Sequence, residues 1–143
     1  MKFFTKKELK VIALIFLGIA LVSMPNFRIS LRRQRDLQRK NDIGDIAKAL
    51  DKYHEDFGIF PLTKDLPRDP DWKKGLVYVY ISNGRRFQIL ASLEGRDEDE
   101  YSPRIEERNI KCGLKLCNFG RAYGKTPLDK SIEEYENEIN AKN

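Results

Sequence analysis

The chain is poor in the residues that soft-metal and redox chemistry use, with two cysteines and one histidine among 143 residues. Cys112, Cys117 and His54 are too few soft ligands for a structural zinc site. Four residues separate the cysteines, against the two of a C-x-x-C redox motif. His54 stands beside Tyr53 on a helical segment, with no Ser or Cys at a recognisable catalytic spacing, and reads as a surface or boundary residue. There is no phosphate-cradling glycine loop and no internal repeat. No catalytic constellation results, so a non-enzymatic protein is expected.

Basic charge is also missing from the place where nucleic-acid binding would need it. The whole chain carries a net charge of +5. Residues 1–40 hold ten Lys and Arg against Glu8 and Asp36, a local balance of +8, whereas residues 41–143 hold seventeen against twenty, a balance of −3. A mildly acidic C-terminal region matches a phosphate backbone poorly, so nucleic acid is not expected as its partner.

What the chain does have is a long apolar run. Val11 to Met24 (VIALIFLGIALVSM) covers about 21 Å as a helix, short of the roughly 30 Å of a hydrocarbon core. As a secretory signal it has a basic start, MKFFTKKELK, but it lacks a small-x-small cleavage site before Pro25. As a membrane anchor it is lengthened by Phe3, Phe4 and Leu9, with Lys6, Lys7 and Lys10 reaching to the interface. A polar stem follows from Arg28 to Asp42, with only Ile29, Leu31 and Leu37 apolar. Apolar residues then return at Ile43, Ile46, Ala47, Leu50, Tyr53 and Phe57, one stripe of a helix that ends at Gly58 with Pro61 beyond. This predicts one interrupted helix from Thr5 to Phe57, broken at Pro25, whose missing N–H removes a hydrogen bond.

Beyond the helix, residues 58–75 form a proline-rich connection. Leu76 to Ser82 reads as a strand, Asn83-Gly84 as a type I′ turn, and Arg85 to Glu94 as the returning strand. An acidic loop over 95–111 and an irregular segment from Cys112 to Gly124 follow. Ser131 with Glu134 opens a short C-terminal helix through a capping box. The fold class is α+β, with a long N-terminal helix, half membrane-bound and half amphipathic, packed on a small antiparallel hairpin or sheet. The expected divisions are 1–27 as anchor, 28–57 as stem and amphipathic helix, and 58–143 as head. Cys112 and Cys117 form a disulfide if the head lies outside the cytosol and remain two thiols if it lies inside.

The segment Phe4 to Phe27 (FTKKELKVIALIFLGIALVSMPNF) resembles the opening of a type IV pilin or type II secretion pseudopilin, with Phe4, Thr5, Glu8, Leu9 and Pro25 in register. Arg35 to Pro61 is similar to the end of that family's helix, where Tyr53 precedes a Gly-aromatic-Pro pattern. Pro67 to Pro70 and the Tyr-rich hairpin are similar to the G-type major pseudopilins. The resemblance implies a filament subunit in the cell membrane, spanning it once with the head extracytoplasmic, and at the cell surface once assembled. Its implied partners are its own copies, other pilin-like subunits, an inner-membrane assembly platform and a prepilin peptidase.

The same resemblance implies roles for individual residues. Glu8 would pair with the new amine at Phe4 of a neighbour, Pro25 would let the helix melt, and Cys112 and Cys117 would be oxidised. Asp97, Glu98 and Asp99, in a run with Glu100, would be weak calcium candidates; no other cofactor is implied. Two departures matter. Phe3 replaces the family's glycine before the cleavage point, so poor leader removal is expected. Lys6, Lys7 and Lys10 replace apolar residues and become alternative cations for Glu8. The stem arginines, by the positive-inside rule alone, would hold the head in the cytosol; the resemblance implies the opposite side and is followed here. The competing readings are a single-pass tethered binding module that does not polymerise and a secreted domain freed by signal peptidase.

Overall fold

The computed structural model describes residues 5–62 and 66–142. Helix α1 runs without interruption over Lys6–Phe57. Pro25 lies inside it, which corrects the expected break. A proline removes one donor from the helical ladder, and the bonds on either side carry the helix through. The helix stops where expected. Gly58 takes a positive φ of 73°, and its N–H donates to the carbonyl of His54 at 2.8 Å.

The chain divides into two compact units between Gln34 and Arg35, inside α1, and the second unit includes the helix from Arg35 to Phe57. In the first unit the helix buries none of its apolar side chains. In the second, its buried residues are Asp36, Arg39, Ile43, Ile46 and Leu50, spaced 3, 4, 3 and 4 along one seam. The apolar part of this seam packs with Phe60, Tyr78, Phe87, Ile89, Ala91, Leu93 and Phe119 in the main core. Each Ile, Leu or Phe among them contributes about 1.5–3 kcal/mol on burial. Phe57, expected in the stripe, is 65% exposed, because the chain turns away at Gly58 and Phe60 fills the core instead. His54 is half-buried, stacked on Phe60 with ring centroids 4.4 Å apart.

The main sheet is antiparallel. Strands β1 (Val79–Ser82), β2 (Phe87–Ala91) and β5 (Phe119–Ala122) lie in the order β1-β2-β5. All five residues of the central β2 are buried. Phe87, Ile89 and Ala91 share the core with α1, while Leu90 packs with Ile105, Cys112 and Cys117 in a second core. Gln88 is buried but satisfied: its amide donates to the carbonyls of Pro127 and Lys130, and its oxygen accepts from Arg108. The short helix α2 (Pro103–Glu106) sits in the expected acidic loop, and α3 (Ile132–Lys142) closes the described chain. Ser131 Oγ accepts from the Glu134 N–H at 3.1 Å, as the capping signal predicts.

Three local expectations need correction. Positive φ falls on Gly84 but not on Asn83, so Asn83-Gly84 is not the two-residue core of a type I′ turn. The turn centres on Gly84 and Arg85, closed by the Asn83 N–H donating to the Arg86 carbonyl at 3.3 Å. The Asn83 side chain instead accepts from the N–H groups of Arg85 and Arg86. The segment expected to be irregular from Cys112 contains β3 (Lys111–Cys112), β4 (Lys115–Leu116) and β5. Leu76 and Val77 do not extend β1; Leu76 bridges Gly113, and the Val77 N–H donates to the Cys112 carbonyl.

Candidate functional site

The first unit offers a helix surface. At its start Thr5 and Glu8 form a capping box. The Thr5 N–H and hydroxyl donate to Glu8 Oε2 at 2.7 and 2.9 Å, and the Glu8 N–H faces Thr5 Oγ1 at 3.4 Å. Glu8 thereby satisfies a backbone donor that the helix start would leave bare. The Thr-x-x-Glu spacing is as legible in the sequence as the Ser131-x-x-Glu134 spacing. Lys6, Lys7 and Lys10 are exposed; Phe4, the expected partner of Glu8, and Phe3 lie outside the described residues.

Beyond the cap, four consecutive residues, Leu14, Ile15, Phe16 and Leu17, are each at least 56% exposed, so the apolar surface covers every side of the helix. The most apolar 18-residue stretch of α1 has a mean hydropathy of 2.0 and buries nothing within the chain. This is one N-terminal helix long and apolar enough to cross a membrane.

The second unit holds a buried ionic cluster that no hydropathy pattern in the sequence signals. Arg39 is wholly sealed from solvent. Its Nε and Nη2 donate to the two oxygens of Asp69 at 2.8 and 3.0 Å. Nη1 donates to Asp36 at 2.8 Å and to Glu94 at 2.9 Å, and Nη2 also donates to Asp71 at 3.0 Å. A guanidinium has five N–H groups, and every one is used here. The carboxylates are held in turn: Asp36 accepts from the backbone N–H groups of Glu94 and Gly95, and Asp69 from that of Asp71. Arg35 forks onto Glu94 at 2.7 and 2.8 Å, and Lys74 reaches Asp71 at 2.9 Å.

The electrostatics follow from this geometry. Burial works against the charged form of Arg39, but the hydrogen bonds to Asp69 and Glu94 outweigh it and raise its pKa. The Arg35 guanidinium holds Glu94 well below the ordinary carboxylate range despite burial, with Arg39 adding to the effect. Nearby, the Tyr78 hydroxyl donates to Asp42 at 2.6 Å; burial, with that carboxylate, pushes the phenol up. With all five guanidinium donors engaged, the arrangement has the character of a clamp. It fastens the 69–71 segment and the start of the loop after Leu93 to the helix.

The acidic run is not gathered around a cation site. Glu98 accepts from Lys40 at 2.7 Å, and Glu100 sits 3.5 Å from the same lysine and pairs with Arg121. Asp97 and Asp99 are exposed. Among the described residues no set of three or more His, Cys, Asp or Glu is placed to hold a metal. Cys112 and Cys117 form a disulfide across the β3–β4 ribbon. At its tip Gly113 has a φ of 79°, and an added Cβ would lie 1.9 Å from the Gly75 carbonyl oxygen, so only glycine fits. The next residue, Leu114, is 82% exposed.

Compared with known proteins, the chain matches no family model, no curated protein and no solved structure.

Proposed function

We propose that the chain is a membrane-anchored, pilin-like structural subunit that polymerises through the first half of α1. The reading rests on one observation above others: apolar side chains cover every side of the helix around Leu14 to Leu17 and find no partner within the chain. A helix apolar all round belongs in lipid or against other helices. Bundling copies of that stretch would keep it buried once a subunit leaves the bilayer. The long N-terminal helix, with its distal seam packed in a small α+β head, supports the reading. A disulfide suits a head on the extracytoplasmic side.

Imaging of the native assembly extracted from membranes tests the proposal. The expected result is a repeating polymer with the N-terminal helices bundled at its centre. A chain that stays monomeric in the membrane at native abundance overturns it and leaves a tethered binding module.

A further inference from the structure

The filament reading gives the turn between β1 and β2 no part to play. That turn holds the chain's single Asn-Gly step, Asn83-Gly84, with Asn83 exposed. The dipeptide carries a latent reaction. Glycine has no Cβ to obstruct its own nitrogen, which is therefore free to approach the side-chain carbonyl carbon of the asparagine before it.

In the closed turn both reacting groups are already engaged. Asn83 Oδ1 accepts from the N–H groups of Arg85 at 3.1 Å and Arg86 at 2.9 Å, so the side chain is bound forward over the turn. The Gly84 N–H points the other way and donates to Ser82 Oγ at 3.1 Å. The Gly84 carbonyl accepts from the Phe60 N–H at 2.7 Å, which ties the next peptide group to the segment entering the core. Joining the Gly84 nitrogen to Asn83 Cγ means giving up the bonds to Ser82, Arg85 and Arg86.

We propose that Asn83 is a deamidation site whose reaction waits on opening of the β1–β2 turn. In the open turn the Gly84 nitrogen gives its proton to hydroxide and bonds to Asn83 Cγ. The Cγ–Nδ2 bond breaks, and ammonia leaves with a proton taken back from water, which closes a succinimide ring. Water then adds to either ring carbonyl and opens the ring, to an aspartate or to an isoaspartate whose main chain runs through the former side chain. The sum is one water consumed and one ammonia released, with no change of oxidation state.

The turn treats the two products differently. An aspartate keeps an oxygen for the Arg85 and Arg86 N–H groups, and its charge strengthens both bonds. An isoaspartate lengthens the main chain by one carbon between residues 83 and 84. The Ser82–Phe87 pairing beside the turn and the Phe60–Gly84 bond then no longer fit one register. A head that has opened for long enough to react therefore keeps a lasting mark of it.

The full chain in detergent is incubated at mildly alkaline pH, with and without unfolding urea. Mass spectrometry of the peptide holding Asn83 follows conversion of the amide to the acid. Conversion is expected to be about a hundredfold slower in the folded chain, the combined effect of the three hydrogen bonds lost on opening. Ser82→Ala frees the Gly84 N–H, and should raise the folded rate about fivefold while near-UV circular dichroism and the rate in urea stay unchanged. A folded chain that converts as fast as the unfolded one overturns the gating by the turn. An unfolded chain that keeps its amide overturns the site itself.

Discussion

Arg39 and Asp69, 30 residues apart in sequence, meet fork to fork, Nε to Oδ2 at 2.8 Å and Nη2 to Oδ1 at 3.0 Å, with both side chains sealed from water. Two charges out of water cost several kcal/mol unless their remaining hydrogen-bonding capacity is met. Here it is met by Asp36, Asp71 and Glu94. The loop through Asp69 has few buried apolar residues of its own, with Leu66 only partly buried against the core. The ionic contact therefore carries much of its attachment to α1.

Arg39→Met is expected to destabilise the head by about 3–5 kcal/mol, because it strands buried carboxylates without their counter-ion. Arg39→Lys keeps the charge but loses the planar fork, and should cost about 1–3 kcal/mol. Urea unfolding of the full chain in detergent, followed by near-UV circular dichroism, measures both. An unchanged midpoint in Arg39→Met would show that the cluster does not hold the head together.

Acid should loosen the same clamp. Arg35, and after it Arg39, holds the Glu94 carboxyl below its ordinary value of 4.5. The folded chain thus binds this proton more weakly than the unfolded chain. The stabilisation is complete above that ordinary value and is lost as pH falls from it through the lower folded value. The urea midpoint is expected to hold steady between about pH 7 and 5 and to fall steeply below about pH 4.5. Glu94→Gln should start lower and flatten the acid slope, and equal slopes in the two proteins would rule out Glu94 as the group responsible.

Reduction of Cys112–Cys117 is expected to cost about 2 kcal/mol, the chain-entropy value for so short a loop. The loss should appear in the Leu76 and Val77 contacts of the ribbon before it appears in β2. Hydrogen exchange with and without reductant reads this out residue by residue. Thiol labelling in intact cells adds a topological answer: unlabelled cysteines place the head on the oxidising side, and two labelled ones place it in the cytosol.

The apolar seam of α1 and its glycine stop were legible because they obey a 3.6-residue period and a C-terminal signal. The two turns before the seam were not. Asp36 and Arg39 continue the same spacing toward the N-terminus, yet both are charged, whereas the apolar Leu37 beside them is 58% exposed. Hydropathy inverts there, since burial is decided by partners that lie 30 to 59 residues away in sequence. Strand β5 was hidden for a different reason. Its four residues, Phe-Gly-Arg-Ala, show no alternation, and Gly120 is there because an added Cβ would sit 2.5 Å from the Ile89 carbonyl oxygen. The hairpin was found, but its turn was misplaced by one residue because Asn83 uses its side chain, and not a positive φ, to bind the turn.

Glu8 has one duty within the chain and a second in the proposed polymer, and its variants can tell them apart. In the single chain it closes the capping box on Thr5. In a polymer it would also offer a carboxylate to a cation of a neighbouring subunit, either an amine at Phe4 or one of Lys6, Lys7 and Lys10. In a dry helix bundle that carboxylate is costly without such a partner. Glu8→Gln preserves an acceptor for the Thr5 N–H, as capping boxes allow, but removes the charge. It is therefore expected to leave α1 helical and membrane-inserted while lowering the yield of sheared filaments. Glu8→Ala removes the cap as well, and should add fraying of the first turn, worth about 1 kcal/mol, to the same loss of polymer. Glu8→Asp keeps the charge on a shorter arm and should fall between the native chain and Glu8→Gln. Filament yield against total membrane protein measures assembly, and hydrogen exchange over the first turn measures the cap. If Glu8→Gln polymerises as well as the native chain while Glu8→Ala does not, the cap alone matters and the charge-pairing mechanism is wrong.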